Sequence, residues 1–341
     1  MWDILQAHYY GDLPDMQEVT YGAIRGMLET LGDEYTSFME PDIARIFNED
    51  ASGSFQGIGA FVRMREDGKL EIVSIIEGSP AEAAGLQGGD LVVAVDGQSI
   101  VGYSIYEAII LIRGPAGTDV TLLVERPGLD EPFEVTVTRA RIQIPLVDSE
   151  MLEGDIAYIH LREFSAPATA QMMDALRDLL AEEPNGLIFD LRDNPGGWLD
   201  QAVGVADLFL DEGVVLIERS AEGERVYRSD DGDLAEEIPL VVLVNGGSAS
   251  ASEVVAGAIQ ARGRGVLIGE QTFGKGSVQH LFRLSDGSEL HVTTARWYTP
   301  DDVAIHGRGL TPDIEVPAPE EAEPGEDPQL GRAVEYLRTG E

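Results

Sequence analysis

The chain has 341 residues, 43% of them apolar, enough for roughly two or three domains with cores of their own, and 62 acidic against 23 basic side chains give it a net charge of −39. That charge argues against a nucleic-acid-binding face and against adhesion to anionic lipid, which need clustered basic groups. The absence of cysteine excludes thiol catalysis, disulfides and thiolate-bound metal.

Residues 1 to about 50 read as helical, with QEVTYGAIRGMLETLG placing apolar side chains at helical spacing and stopping at a glycine. From 53 to about 140 the pattern changes to short strands. FQGIGAFVRM and KLEIVSII flank a REDG turn, and SPAEAAGL is a short helix. DLVVAVDGQSI is two strands around an Asp96-Gly97 turn, and SIYEAIILIRG is an amphipathic helix. DVTLLVERPG and FEVTVTRARI then close a small sandwich or barrel. From about 141, strands alternate with helices. DIAYIHLREF, GLIFDL, GVVLIERSA and IPLVVLVN read as strands, and ATAQMMDALRDLLAE, WLDQAVGVADLFL and EVVAGAIQA as helices. GVLIGEQTFGKGSVQHLFRLSDGSELHVTTARWYT is mostly strand after an early Gly-rich loop. The alternation predicts a largely parallel sheet covered on its faces. PAPEEAEPGEDPQ, residues 317–329, has linker composition, and LGRAVEYLR reads as a last helix.

No apolar run is long enough to cross a bilayer, and MWDILQAHYYGD has no basic segment followed by an apolar core, so it does not read as a signal peptide. The five histidines are scattered with no metal-ligand spacing, and neither metal nor cofactor is expected.

Four stretches carry chemistry. NGGSASASE puts Ser248, Ser250 and Ser252 on a strand-to-helix turn, and Ser250 to Glu253 also fits a capping box, so this stretch alone leaves nucleophile and helix cap both open. GEQTFGKGS holds Lys275, one of only two lysines in the chain, the other being Lys69 in a polar turn. Lysine, unlike arginine, loses its proton when buried, so Lys275 is a candidate base for Ser250, with His280 as the weaker alternative. The same stretch nearly matches a phosphate loop, but Gly276 stands where a magnesium-binding hydroxyl belongs and a strand pattern follows where a helix should. LRDNPGGWL follows a strand with exposed amides that suit either an oxyanion hole or a plain turn. SFQGIGAFV suits either a tight hairpin start or a loop that receives a peptide terminus, the peptide adding as a strand.

Together AIRGML, GIGAFV, VSIIEGSPAEAAGLQGGDLVVAVDG, IRGPAGT, LRDNPGG, VNGGSASASEVVAGA, GEQTFGKGSVQ and TPDIEV, in this order, resemble the C-terminal processing peptidases, or tail-specific proteases. The resemblance implies an N-terminal helical segment (1–52), an inserted PDZ domain (53–130), an α/β crotonase-like serine protease core with a mixed sheet (131–316), and an acidic linker with a terminal helix (317–341). It implies Ser250 as nucleophile, Lys275 as base and Gln279 as the third site residue, with the amides of Gly196 and Ala251 as oxyanion hole. It further implies that the loop Gly57, Ile58, Gly59 and Ala60 holds the substrate's C-terminus and that Arg113 links the PDZ domain to the active site. The expected partners are proteins or peptides with free, apolar C-termini, with room for a homo-oligomer and for an activator or adaptor protein. The expected location is the cell envelope, periplasmic or extracellular, with this chain as a trimmed form. The alternative function is a non-catalytic or latent PDZ scaffold. DDVA within YTPDDVAIHGRGL departs from the family wording, which leaves substrate preference open.

Overall fold

A computed structural model describes residues 1–232, 234–319 and 326–340. Residues 320–325 of the expected acidic linker lie outside the described residues. The chain forms two compact units, Met1–Arg45 with Ser277–Ala295, and Ile46–Gly276 with Arg296–Glu341.

In the smaller unit the helix Met16–Glu29 starts at Asp15, whose side chain accepts the Glu18 N–H at 2.8 Å, satisfying one of the donors a helix N-terminus leaves open. Its Tyr21 ring packs on Phe38 at 5.1 Å and its hydroxyl donates to Asp286 at 2.8 Å. Phe38 lies on the short strand Ser37–Met39, which pairs antiparallel with residues 289–291.

In the larger unit, residues 60–138 build an antiparallel sheet in the spatial order Ala60–Met64, Leu70–Ile75, Leu91–Val95, Asp119–Glu125, Phe133–Thr138. The predicted Asp96-Gly97 turn is present, with φ of 49° and 80° at its two residues, the mirror-image geometry that suits the strand twist. The helix Ile105–Ile112 opens on a capping box between Ser104 and Glu107. Its far end is closed by Arg139, a buried arginine whose guanidinium donates to Ile112 O at 2.8 Å, Leu111 O at 3.1 Å and Asp119 O at 2.9 Å. Arg139 also breaks what the sequence suggested was one strand, FEVTVTRARI. Phe133–Thr138 completes the sheet, whereas Ala140–Gln143 pairs with Ser54–Gly57 in a separate two-stranded ribbon. Arg139→Met strips donors from three carbonyls, that of Ile112 in a buried bond, and is expected to destabilise the protein by about 2–4 kcal/mol. A thermal melt reads this as a clear fall in Tm, and an unchanged Tm would contradict it.

The rest of the larger unit is a six-stranded mixed sheet ordered Val147–Leu152, Ile156–Leu161, Gly186–Asp190, Leu240–Val244, Val266–Gly269, Ile314–Glu315. Only the first pair is antiparallel. Its central strand, Leu240–Val244, is buried at every residue, which matches its unbroken β-branched run. The helix Pro328–Thr339 covers one face, packing Ala333, Leu330 and Leu337 against Ile188, Val241 and Ile268. Arg192 bonds Asp327, the first residue of that helix turn, at 2.8 and 2.9 Å. This is the predicted fold class, a mixed sheet with helices, an inserted antiparallel domain and N-terminal helices. Several strands escaped the sequence reading, among them Ser37–Met39 in the stretch read as helical, Val147–Leu152, and the second half of a hairpin. Gly213–Ser220 turns back at once into Gly223–Ser229, whose sequence GERVYRS is too polar and exposed to show an apolar period.

Candidate active site

Three adjacent parallel strands end side by side at Asp190, Val244 and Gly269. The chain leaves them as LRDNPGG, NGGSASAS and EQTFGK, so the sheet gathers three of the four chemical motifs at its carboxyl edge, where open α/β sheets bind ligands.

The serines divide by the bonds they make. Ser248 Oγ donates to Leu191 O at 2.7 Å and accepts from Asn245 N at 3.0 Å. Ser252 Oγ donates to Asn194 O at 2.8 Å. Both hydroxyls are fully buried and fasten the first loop to the second. Ser250 stands between them at φ 57°, ψ −114°, outside the left-handed helical basin as well as the usual regions. Such a conformation costs of order 1–3 kcal/mol and is characteristic of nucleophiles held on a sharp strand-to-helix turn. Ser250 precedes the helix Ala251–Ala261, and its N–H donates to Glu253 at 2.9 Å, the glutamate half of the predicted capping box.

Gly196 sits against this turn. A β-carbon on it would lie 2.7 Å from Ala249 O and from Ser250 Cβ, and 2.8 Å from Ala251 N. Its carbonyl accepts from Phe164 N at 2.8 Å, and its N–H donates to Asn194 Oδ1 at 2.9 Å. Asn194 is fully buried and donates in turn to Leu161 O at 2.7 Å. Asn194 was not singled out in the sequence, since nothing local distinguishes it from any turn asparagine.

Lys275 is half-buried, and its N–H donates to Glu253 Oε2 at 2.8 Å. Burial pushes its ammonium below the ordinary lysine range, and the nearby Glu253 carboxylate partly opposes that shift. The chain beyond Gly276 enters the strand Ser277–Arg283, so no helix N-terminus follows the loop as a phosphate site would require. Gln279 belongs to the smaller unit, where its amide donates to Ser277 Oγ at 2.9 Å and Thr293 Oγ1 at 3.3 Å. His280, on the same strand, packs against Phe282 with ring centres 4.8 Å apart and the ring planes tilted by 51°. Among the described residues no group of three or more His, Asp or Glu side chains is disposed to hold a metal ion.

The fourth motif belongs to the inserted domain, and the cavity beside it is also lined by Leu146, Arg162 and Glu163 of the core. Gly57 ends the ribbon strand, and Ile58, Gly59 and Ala60 line a cavity of about 400 Å³. The carbonyls of Ile58 and Gly59 are engaged inward, by Ala81 N at 2.8 Å and Ile76 N at 3.0 Å. The edge strand Ala60–Met64 forms one side of the cavity and Ile109 and Ile112 of the helix the other. An edge strand facing an apolar helix leaves room for a further strand. Arg113 closes the end of that helix. It bonds Asp50 at 2.7 Å and Glu49 at 3.4 Å and lies over the Phe55 ring at 4.2 Å, tying the domain to the segment that leads into it.

Residues 155–316 match the family model for peptidase family S41, and residues 71–126 match that of a PDZ domain. The chain is 41% identical to the carboxy-terminal-processing protease of Bartonella bacilliformis, over 95% of its own length and 76% of the relative's. The chain belongs to peptidase family S41. Its likeness to carboxy-terminal processing protease CtpA of Bacillus subtilis is 38% over 94% of this chain and 68% of that one. Among solved structures, the photosystem II D1 C-terminal processing protease is 32% identical with a TM-score of 0.58, covering 97% of this chain and 90% of that chain. As an S41 member the chain is a serine-type peptidase carrying a PDZ domain, and the resemblance read from its motifs holds over nearly its whole length.

Proposed function

We propose that this S41 peptidase cleaves proteins near their C-termini with Ser250 as nucleophile and Lys275 as general base. The observation that carries this reading is the depressed lysine on a loop bonded to the Ser250 turn, because lysine at its ordinary pKa of about 10.4 is protonated and no base. Neutral Lys275 takes the Ser250 proton as Oγ adds to the peptide carbonyl. The Ala251 N–H, in the first helical turn, donates to the oxyanion, and the Gly196 N–H joins it by exchanging its bond to Asn194 Oδ1 for the substrate. The lysine then protonates the leaving amine, and water, deprotonated by Lys275, releases the acyl group. Gln279 is assigned to support the lysine, the loop from Gly57 through Ile58 and Gly59 to Ala60 to hold the terminal carboxylate, and Arg113 to couple that loop to the core. The relatives' names supply the C-terminal specificity, and the cavity beside an edge strand supports it. Cell-envelope location, periplasmic or extracellular, is part of the same proposal. Among the described residues no helix is long and apolar enough to cross a membrane.

An unfolded substrate with an apolar C-terminal residue, compared with the same substrate amidated at its end, tests the reading by mass spectrometry. Cleavage is expected only of the free-ended form and only with Ser250 intact. Equal cleavage of both forms would remove the C-terminal specificity. Cleavage by Ser250→Ala would remove the nucleophile. The pH profile adds a second test, since activity requires the neutral lysine. The profile of kcat/KM rises with pH to a plateau, with a midpoint below that of free lysine. A midpoint at or above the ordinary lysine value contradicts the assignment.

A further inference from the structure

Glu253 is fully buried in the first turn of the Ala251–Ala261 helix. Its Oε1 accepts from Thr272 Oγ1 at 2.6 Å and Gly274 N at 2.7 Å, and its Oε2 accepts from Ser250 N at 2.9 Å and Lys275 N at 2.8 Å. Both oxygens therefore carry two donors. One oxygen is shared by the backbone of the proposed nucleophile and that of the proposed base, so those two nitrogens can be no further apart than the two bonds laid end to end. A simple helix cap would use only the bond to Ser250. Three donors come instead from a loop beyond the strand Val266–Gly269, and that loop is also anchored by Phe273 N to Ser248 O at 3.0 Å and Thr272 N to Leu310 O at 3.1 Å.

We infer that Glu253 is a positioning residue for proteolysis, which sets the register of the lysine loop against the Ser250 turn and holds Ser250 in its strained conformation. The inference rests on the Ser250–Lys275 reading. Geometry demands the ionised carboxylate. Protonation would place an O–H among four donors with nothing to accept it, and those bonds oppose the burial that still holds the group above the ordinary carboxylate range. The same charge acts on Lys275, where it favours the ammonium against burial. The 305–309 turn also packs on this loop, through Gly307 N to Gly274 O at 2.9 Å, and brings His306 and Arg308 as its titratable residues. Glu253 therefore fixes where the base is and also at what pH it becomes one.

The full chain, as wild type and as Glu253→Gln, Thr272→Val, Ser250→Ala and Lys275→Ala, is assayed on one internally quenched peptide with a free apolar C-terminus across roughly pH 6 to 11. Folding is checked by thermal melt. Glu253→Gln keeps the shape but turns one acceptor into a donor facing two donors. We expect kcat to fall by about 100-fold with KM within about two-fold, since substrate is held elsewhere and only the reacting geometry is lost. The residual activity should begin at lower pH, because the charge favouring the ammonium is gone. Thr272→Val removes one donor to Glu253, together with the acceptor of Leu310 N at 2.7 Å, and keeps the charge, so kcat should fall by about five- to ten-fold with the acid limb unmoved. It decides the matter if Glu253→Gln is unfolded or too slow for a pH profile. Wild-type kcat in either folded variant overturns the inference, and so does a loss in Glu253→Gln whose acid limb stays in place, which would reduce the residue to a fold element. Cleavage surviving in Ser250→Ala or Lys275→Ala overturns the dyad beneath it, whatever Glu253 does.

Discussion

Lys275→Arg is expected to abolish turnover, with kcat reduced at least about 10³-fold, although the positive charge is kept. Arginine holds its proton at every pH a protein survives, so it cannot accept the Ser250 proton, and burial that lowers the lysine toward its neutral form leaves a guanidinium charged. The backbone bond from residue 275 to Glu253 does not depend on the side chain, so the loop should keep its place. A peptide carrying the free C-terminus should bind with its affinity changed by no more than about two-fold, since the loop proposed to receive its carboxylate, Gly57–Ala60, lies in the inserted domain and not at residue 275. Stopped cleavage with intact binding is the expected pair of results. Turnover in this variant would mean that the base is another group.

Gly196→Ala is the second large effect, expected to cut kcat by about 10² to 10³-fold. The added methyl would meet two backbone atoms and the Cβ of Ser250, the proposed nucleophile, at 2.7 to 2.8 Å, and the residue sits at φ 100°, which alanine adopts only under strain. Either the PGG loop or the Ser250 turn must retreat, and a displacement of even about half an ångström would spoil both the proposed attack line and the proposed oxyanion donors. The loop cannot absorb the shift locally. Its carbonyl at Gly196 and the N–H of Trp198 are both bound to Phe164, at 2.8 Å each. Labelling of Ser250 by a fluorophosphonate reads the effect directly and should slow in parallel with kcat, and wild-type labelling rates would contradict this geometry.

Much of this was legible in the residues. The β-branched run before NGGSASASE announced a buried central strand, and the Asp96-Gly97 pair announced its hairpin, because both depend on interactions within a few residues. Lys275 stood out because the chain otherwise spells its cations as arginine. The motif order carried the family. The sequence could not say which serines are already bonded, since the acceptors of Ser248 and Ser252 are carbonyls of Leu191 and Asn194, more than fifty residues away and brought near only by pairing of Gly186–Asp190 with Leu240–Val244. Nor could it separate the two roles of Glu253. As a helix cap the residue is a local signal, but as the acceptor for Thr272, Gly274 and Lys275 it exists only once Val266–Gly269 lies beside Leu240–Val244. The break at Arg139 is of the same kind, because a strand pattern shows which faces are apolar and not which partner each half will find. Local spacing thus determined the elements and the candidate chemistry. Long-range strand pairing, which aligns loops by register rather than by anything written in them, decided which groups meet and which hydroxyls are already engaged.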